Sequence, residues 1–156
     1  MFRSMRRKDR EIDPVLALES ACGAEYGIIA TYGENGFPYA IPFHFACCNG
    51  KIYLHCTVGE SHLRDNISRC PEVCFTTVNS TELLPSKFSA KYESTVIFGM
   101  ASEVADAEEK RTALTELIKK YSPGFYESGL EYIERDIKRT TVIGIEIMHV
   151  TGKAHR

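Results

Sequence analysis

One segment of the sequence combines the side chains that an anion-binding site needs. It spans residues 57–67 (TVGESHLRDNI) and joins the end of a predicted strand to the start of a predicted helix. Thr57 and Ser61 carry hydroxyls, and His62 and Arg64 carry basic groups. Free amides at a helix N-terminus, with hydroxyls and a guanidinium, favour binding of a phosphate group. The alternative is an ordinary helix cap by Ser61, with Arg64 in solvent.

The cysteines are the second candidate for chemistry. None of the six forms a C-x-x-C pair, and structural zinc sites usually contain such half-sites. Without a visible secretion signal, free and buried thiols are the default expectation, with no metal. A metal cluster formed by His44, Cys47 and Cys48 is the alternative.

Composition excludes several classes of protein. The chain has 156 residues, of which 44% are hydrophobic and 26% charged, so it is long enough for one domain and is not disordered. A net charge of -2 argues against a nucleic-acid binder that depends on phosphate contacts. No stretch approaches the roughly 20 apolar residues of a transmembrane helix, and the charged N-terminus does not resemble a signal peptide. We therefore expect a cytoplasmic protein with neither a nucleic-acid nor a membrane partner.

The chain divides into a basic N-terminal arm, residues 1–12, and a single domain, residues 13–156. Five basic residues lie in the arm: Arg3, Arg6, Arg7, Lys8 and Arg10. Composition favours a mobile arm. The alternative is an arm that folds over a neighbouring subunit or an anionic ligand.

Six segments have the composition of β-strands. They are residues 26–32, 37–46, 51–57, 73–78, 92–104 and 140–150. Turn signals, including Asn49-Gly50, join the first three strands into an antiparallel meander. Proline cannot donate to a ladder, so Pro38 and Pro42 place the second strand at an edge or a bulge. The polar residues 79–91 predict a loop, and Gly99 a bulge.

Helical spacing indicates four helices. They cover residues 13–23, 61–69 and 106–121, with a fourth that starts at a capping box of Ser128 and Glu131. Long antiparallel strands with short helices at their ends predict a mainly β fold, a six-stranded antiparallel barrel that is closed or nearly closed. Side chains fill the interior of so small a barrel, so a ligand site should lie outside its wall or between subunits.

Six blocks occur in a distinctive order: MRR (5–7), TYGENGFPYAIPFHF (31–45), KIYLHCTVGESHLRDNI (51–67), RCPEVCF (69–75), YESTVIFGMASEV (92–104) and IEIMHVTGK (145–153). Together they resemble the Nim-type nitroimidazole-resistance proteins. Those proteins belong to the flavin-binding split-barrel group, which also includes the pyridoxamine-phosphate oxidases. The resemblance implies a six-stranded antiparallel split barrel, usually a homodimer with flavin mononucleotide (FMN) at the subunit interface; flavin adenine dinucleotide (FAD) is the alternative cofactor.

The resemblance also implies where the flavin would bind. Residues at and after the end of the third strand would hold its phosphate: Cys56, Thr57, Ser61, His62 and Leu63. Leu63 stands where the group has a second basic residue, so Arg64, or an N-terminal arginine of either subunit, would replace it. The backbone of Pro42, Phe43 and His44 would line the isoalloxazine ring. Ser94 matches a position that often directs a polar side chain toward the flavin.

His55 and His62 are the candidate catalytic residues. An imidazole near pH 7 could hydrogen-bond a nitro group or deliver a proton, although His55 could instead pack on the barrel wall. The implied function is flavin-dependent reduction of the nitro group of 5-nitroimidazole-type compounds. One alternative is a flavin-binding protein without this turnover. Another is a haem-handling relative with His44 or His62 as ligand.

Two further expectations follow. Pyridoxamine-phosphate oxidase activity is disfavoured, because the chain has no tryptophan and no counterpart of that enzyme's C-terminal substrate segment. A homodimer is supported by an apolar barrel wall too large for the protein's own helices to cover. This wall would contain Ile28, Ile29, Phe43 and Phe45.

Overall fold

The computed structural model describes residues 1–156 and contains eight strands and four α-helices. The strands are β1 (Glu11–Ile12), β2 (Gly27–Tyr32), β3 (Pro38–Phe43), β4 (Ala46–Cys48), β5 (Lys51–Thr57), β6 (Glu72–Leu84), β7 (Ser89–Glu103) and β8 (Thr140–His155). The helices are α1 (Pro14–Gly23), α2 (His62–Arg69), α3 (Ala107–Tyr121) and α4 (Tyr126–Asp136).

All eight strands belong to one antiparallel sheet. Its order is β3-β2-β6-β7-β8-β5-β4, and β1 pairs separately with β8. The chain passes directly from β3 to β4, yet these strands lie at opposite ends of the hydrogen-bonded path. The sheet is therefore not closed, and the predicted split-barrel fold is confirmed. The predicted second strand is divided in two, because the backbone leaves the ladder at His44 and Phe45.

Two local predictions about the sheet are confirmed. Asn49 and Gly50 both have positive φ, 51° and 74°, as a tight hairpin between β4 and β5 requires. Pro38 and Pro42 lie in β3, which pairs only with β2 and so forms an edge of the sheet.

The predicted loop at residues 79–91 is wrong. Most of this segment extends β6 and β7, which pair as far as Leu84 and Ser89. Both faces of this hairpin extension are largely exposed, so its polar residues do not alternate with apolar ones. The backbone hydrogen bonds between β6 and β7 continue here although neither face of the extension is apolar. The bulge predicted at Gly99 is confirmed by a register shift between Phe98 and Gly99.

The side chains inside the barrel form the main core. This cluster has 14 buried residues, including Phe75, Leu54 and Ile97. Ile29 and Phe45, which sequence analysis assigned to an exposed wall, belong to this core with 0% exposure. A second cluster packs α3 and α4 onto the opposite face of β5.

Helices α1 and α3 both begin at an aspartate cap. Asp13 Oδ1 accepts the amide of Val15 at 2.8 Å, and Asp106 Oδ2 accepts the amide of Glu109 at 2.7 Å. Glu109 does not complete a capping box. Its carboxylate instead accepts hydrogen bonds from Lys51 and Tyr53, which joins the start of α3 to β5. The fourth helix begins at Tyr126, before the predicted capping box at Ser128.

The basic arm contacts the sheet near both of its ends, although most of its residues are exposed, and its mobility stays a prediction. Glu11 and Ile12 pair with Lys153 and Gly152 of β8. The ring of Phe2 stacks on that of His149, with centroids 4.6 Å apart. None of the helices is both long and apolar enough to cross a membrane.

The prediction of six free thiols is also wrong. Cys22 at the end of α1 forms a disulfide with Cys47 in β4, with Cα atoms 5.6 Å apart. Cys47 is therefore not available as a thiolate, which excludes the alternative metal cluster with His44 and Cys48. The other four cysteines are free. The pair could not be predicted from the sequence, because 25 residues separate its members and only the fold brings them together.

We expect the unreduced, denatured protein to react with four equivalents of a thiol reagent and the reduced protein with six. Replacement of Cys22 and Cys47 by serine should reduce the free energy of unfolding by about 3 kcal/mol, because the open loop gains entropy in the unfolded state. Urea unfolding measures this loss. Replacement of the free Cys70 by serine is the control. Six reactive thiols without reductant would contradict the pairing.

Candidate functional site

The loop between β5 and α2 has a defined shape. Thr57 pairs with Thr140 of β8, and the amide of Val58 donates to the carbonyl of Arg139 at 3.1 Å. The chain then turns at Gly59, whose φ of +118° favours glycine. This turn brings Ser61 to the N-cap position of α2.

The hydroxyl of Ser61 is available to a ligand. It makes no capping hydrogen bond to α2, and neither Ser61 nor Thr57 has a side-chain hydrogen-bond partner within the chain. The first amides of an α-helix have no partner inside the helix. The ordinary-cap alternative is therefore wrong, and these donors fit an anionic group such as a phosphate.

Arg64 stabilises the loop and does not extend into solvent. Its Nε donates to Glu103 at 2.6 Å, and its Nη1 donates to the carbonyl of Gly59. The guanidinium is thus committed to β7 and to the turn. Of the two basic side chains in the loop, only His62 has no ion-pair or hydrogen-bond partner, because Arg64 is already bound. The donors that remain for a ligand are therefore mainly hydroxyls and backbone amides.

Leu63 faces the core and has only 2% exposure, so its side chain cannot contact a ligand in the loop. It holds α2 in place together with the buried Asn66, whose Nδ2 donates to Thr31 Oγ1 at 3.0 Å. Thr31 Oγ1 in turn donates to the carbonyl of Tyr39. The ring of Tyr39 contacts that of His62, with centroids 4.0 Å apart. This chain of contacts fixes the start of α2 relative to the edge strand β3.

Residues 42–44 lie at the free edge of the sheet. Pro42 and His44 are exposed, Phe43 is half-buried, and all three line an open groove with Tyr26. An edge strand presents unpaired backbone N–H and C=O groups. Such groups suit the polar rim of a planar heterocycle.

A cleft of about 220 Å³ lies between β5 and the α3–α4 pair, and both His44 and His55 line it. Its floor is apolar and includes Leu117 and Ile133. His55 keeps an exposed edge, yet burial against the helices, and secondarily the nearby His44, lowers its pKa. This shift favours the neutral imidazole.

Tyr121 joins α3 to the strands around this cleft. Its Oη accepts the amide of Phe45 at 3.0 Å and donates to the carbonyl of Glu25 at 2.7 Å. The ring also contacts His44, with centroids 4.6 Å apart. This role of Tyr121 could not be predicted from the sequence, because nothing local indicates the distant backbone groups that it binds.

We expect Tyr121→Phe to reduce the free energy of unfolding by about 1–3 kcal/mol, because the buried amide of Phe45 loses its acceptor. Urea unfolding measures the loss. Tyr132→Phe is the matched control, since Tyr132 lines the same cleft but is 59% exposed. Equal stability of the two variants would contradict this role for Tyr121.

The remaining predicted site residues are not brought together. Cys56 packs against the core cluster, and burial raises the pKa of its thiol. His55 faces the α3–α4 cleft, whereas His62 contacts Tyr39. Ser94 pairs with Lys153 near the far end of β8 from Thr140, the partner of Thr57. Within one chain, Ser94 therefore lies far from the loop.

The sequence profile of the pyridoxamine 5'-phosphate oxidase family matches residues 16–154. The chain belongs to this family. Its members share a flavin-binding split barrel, which is the fold described above. No functionally curated protein matches the chain.

Several solved structures have the same fold. A proposed 5-nitroimidazole antibiotic resistance protein from Bacteroides thetaiotaomicron has a TM-score of 0.77 and 24% identity, over 92% of this chain and 86% of that one. The flavocytochrome Anf3 from Azotobacter vinelandii has a TM-score of 0.83 and 18% identity, over 99% and 73%. The FAD and haem binding protein from Mycobacterium smegmatis has a TM-score of 0.74 and 19% identity, over 94% and 74%. At these identities the similarity establishes the fold alone.

Proposed function

We propose that this protein binds a flavin and uses it to reduce the nitro group of 5-nitroimidazole-type compounds. The observation that carries the proposal is the loop between β5 and α2, where the Ser61 hydroxyl and the first amides of α2 lack partners. Family membership and the nitroimidazole-resistance relative support the choice of ligand and substrate.

The flavin phosphate would be bound by Thr57, Ser61 and the first amides of α2, with His62 at the rim. Arg64 acts indirectly, because its bonds to Glu103 and Gly59 keep the loop in shape. The backbone of residues 42–44 would face the isoalloxazine ring. FMN is the favoured form, since one phosphate matches this small set of donors; FAD is the alternative.

The flavin supplies the electron transfer, and the chain supplies binding, orientation and protons. Reduction of a nitro group to an amine consumes six electrons and six protons and releases two waters. A cellular reductant must provide the electrons. His55 lines the cleft next to His44 and is positioned to hydrogen-bond a polar group on a small planar substrate.

The purified protein's absorption spectrum and its extracted cofactor test flavin binding. The flavin-loaded protein is then reduced without oxygen and mixed with metronidazole, and reoxidation of the flavin is followed. We expect the loaded protein to be reoxidised faster than the same concentration of free reduced flavin, and His55→Leu to lose most of this advantage. Bound flavin without faster reoxidation would support the alternative, a binding protein without turnover.

A haem-handling function is the other alternative, because one relative is named a flavocytochrome and another an FAD and haem binding protein. His44 and His55 share a cleft that could offer an axial ligand. At about 220 Å³ this cleft is below the roughly 300–1,000 Å³ of ordinary small-molecule sites, so a macrocycle would require α4 to move. A Soret band in the same spectrum would favour this alternative over the flavin.

We also propose that the protein is a homodimer. The outer face of the sheet keeps apolar side chains in solvent, with Tyr32 at 64%, Met148 at 57% and Phe98 at 37% exposure. These residues border an apolar depression of about 400 Å³. A second copy would cover this face and could bring its own Ser94 to the flavin. Light scattering of the wild type and of Phe98→Lys tests the assembly, which the added charge should weaken.

A further inference from the structure

Two basic side chains converge on one phenol at the end of the sheet opposite the loop. Arg10, just before β1, donates from Nη1 to Tyr92 Oη at 2.8 Å. Lys153 of β8 places its Nζ 5.1 Å from the centroid of the Tyr92 ring. Strand pairing fixes this arrangement, because Lys153 pairs with Glu11 on one side and with Ser94, two residues from Tyr92, on the other.

Neither cation has a carboxylate of its own. Asp9 Oδ2 lies 4.0 Å from Arg10 Nε, but it is already bound by Arg7. Each carboxylate that lines the two grooves beside the cluster has another partner: Asp9 with Arg7, Glu11 with Lys8, Glu82 with Lys91, and Glu93 with Ser20 and Arg156. The two cations, Lys153 first, lower the pKa of Tyr92. The cluster therefore holds uncompensated positive charge.

The cluster is open to solvent. The side chain of Arg10 is 25% exposed, and those of Tyr92 and Lys153 are half-buried. Tyr92 lines a groove of about 250 Å³, and Arg10 lines an adjoining groove of about 440 Å³. His155 borders both grooves, with its Nδ1 2.7 Å from the carbonyl of Ala90. A small anion can therefore reach Tyr92 and Arg10 through these grooves, whereas the half-buried Lys153 lines neither of them.

We propose that Arg10, Tyr92 and Lys153 form a phosphate-monoester site that is distinct from the flavin-binding loop. The guanidinium and ammonium retain N–H donors beyond those already used. Tyr92 Oη accepts from Arg10, and its own proton has no acceptor in the chain. Three donors from three elements thus suit the several oxygens of a phosphate better than the two of a carboxylate. The site goes beyond the proposed function and does not depend on it.

The test titrates inorganic phosphate into the purified protein, as isolated and after flavin loading, and follows binding by calorimetry. We expect one phosphate per chain in both forms. Lys153→Gln and Arg10→Gln should each weaken binding about tenfold, because each removes a charge-assisted hydrogen bond. Tyr92→Phe should weaken it several-fold while keeping the ring in place. Lys91→Gln is the matched control, since Lys91 lies on the same hairpin but pairs with Glu82.

Adenosine monophosphate and adenosine distinguish the two sources of the ligand. Tighter binding of the monophosphate than of inorganic phosphate assigns the site to an organic phosphate, and equal affinity assigns it to the free ion. Absence of phosphate binding, or equal losses in Lys91→Gln, would overturn the proposal. If Lys153→Gln lost phosphate binding and flavin binding together, the two sites would not be separate and the proposal would be overturned. Failure of the wild type to bind flavin would contradict only the proposed function.

Discussion

Ser61→Asp should weaken FMN binding about 100-fold, because it places a negative charge directly beside the phosphate. The same change should leave the protein without flavin as stable as the wild type, or more stable. Aspartate is a good N-cap, and a negative charge at a helix N-terminus is favourable. A fluorescence titration of FMN and a thermal melt of the flavin-free protein measure the two effects.

Ser61→Asn is the matched control, since asparagine has the shape and capping ability of aspartate without its charge. We expect it to bind FMN within a few-fold of the wild type. Riboflavin, which lacks the phosphate, should bind the Ser61→Asp and Ser61→Asn variants equally. Equal FMN affinity of the two variants would exclude the phosphate from this loop and with it the assigned flavin site.

Lys120→Met should increase the free energy of unfolding by about 2 kcal/mol at pH 7. The ammonium of Lys120 has no exposed surface and no hydrogen-bond acceptor. It lies 3.7 Å from the centroid of the Phe45 ring, a contact that offsets only part of the desolvation. Burial lowers the pKa of Lys120 from 10.5 to about 8. Methionine has a similar length and carries no charge to desolvate.

The gain from Lys120→Met should depend on pH in a defined direction. The folded-state pKa of about 8 lies below the unfolded value of 10.5, so between these values the unfolded wild type binds more protons. The penalty from Lys120 is complete below pH 8 and disappears as the pH rises to 10.5. The difference between variant and wild type should shrink over this window.

Urea unfolding at pH 7 and pH 10 measures this difference. Lys119→Met is the control, because Lys119 is adjacent and 52% exposed, and its ion pair with Glu116 contributes little. A pH-independent gain, or an equal gain in the Lys119 variant, would contradict the cost assigned to the buried ammonium.

The accuracy of the strand predictions depended on whether a strand has at least one buried face. The boundaries of β5, Lys51–Thr57, were predicted correctly, because apolar residues on both of its faces are buried and turn residues precede it. The extensions of β6 and β7 were missed because exposure of both faces removes the alternation. In α1 the buried residues are Ala17 and Ala21, whereas the larger apolar Val15 is 64% exposed. Alanine residues on a closely packed helix face contribute little to the hydrophobic pattern from which a buried face is predicted.

The sequence predicted which segment forms the candidate site, but not how the side chains of that segment are arranged. Spacing and residue type located the loop after β5, and Ser61 does lie at the start of α2. The engagement of Arg64 by Glu103 could not be predicted, since Glu103 lies on a distant strand. For the same reason the sequence did not reveal the cleft that places His44 next to His55.

Local sequence was enough to predict the mainly β architecture, the edge position of the proline-containing strand, and the hydroxyl-rich loop that leads into α2. These properties follow from local forces: backbone preference, turn geometry and the burial of alternate residues. Long-range packing, in contrast, establishes which polar side chains are already bonded within the chain and which are left without a partner. Arg64 is committed and Ser61 is not, Cys22 meets Cys47, and Arg10 meets Tyr92. Each of these outcomes depends on strands paired far apart in the chain, whose contacts no local pattern of residues encodes.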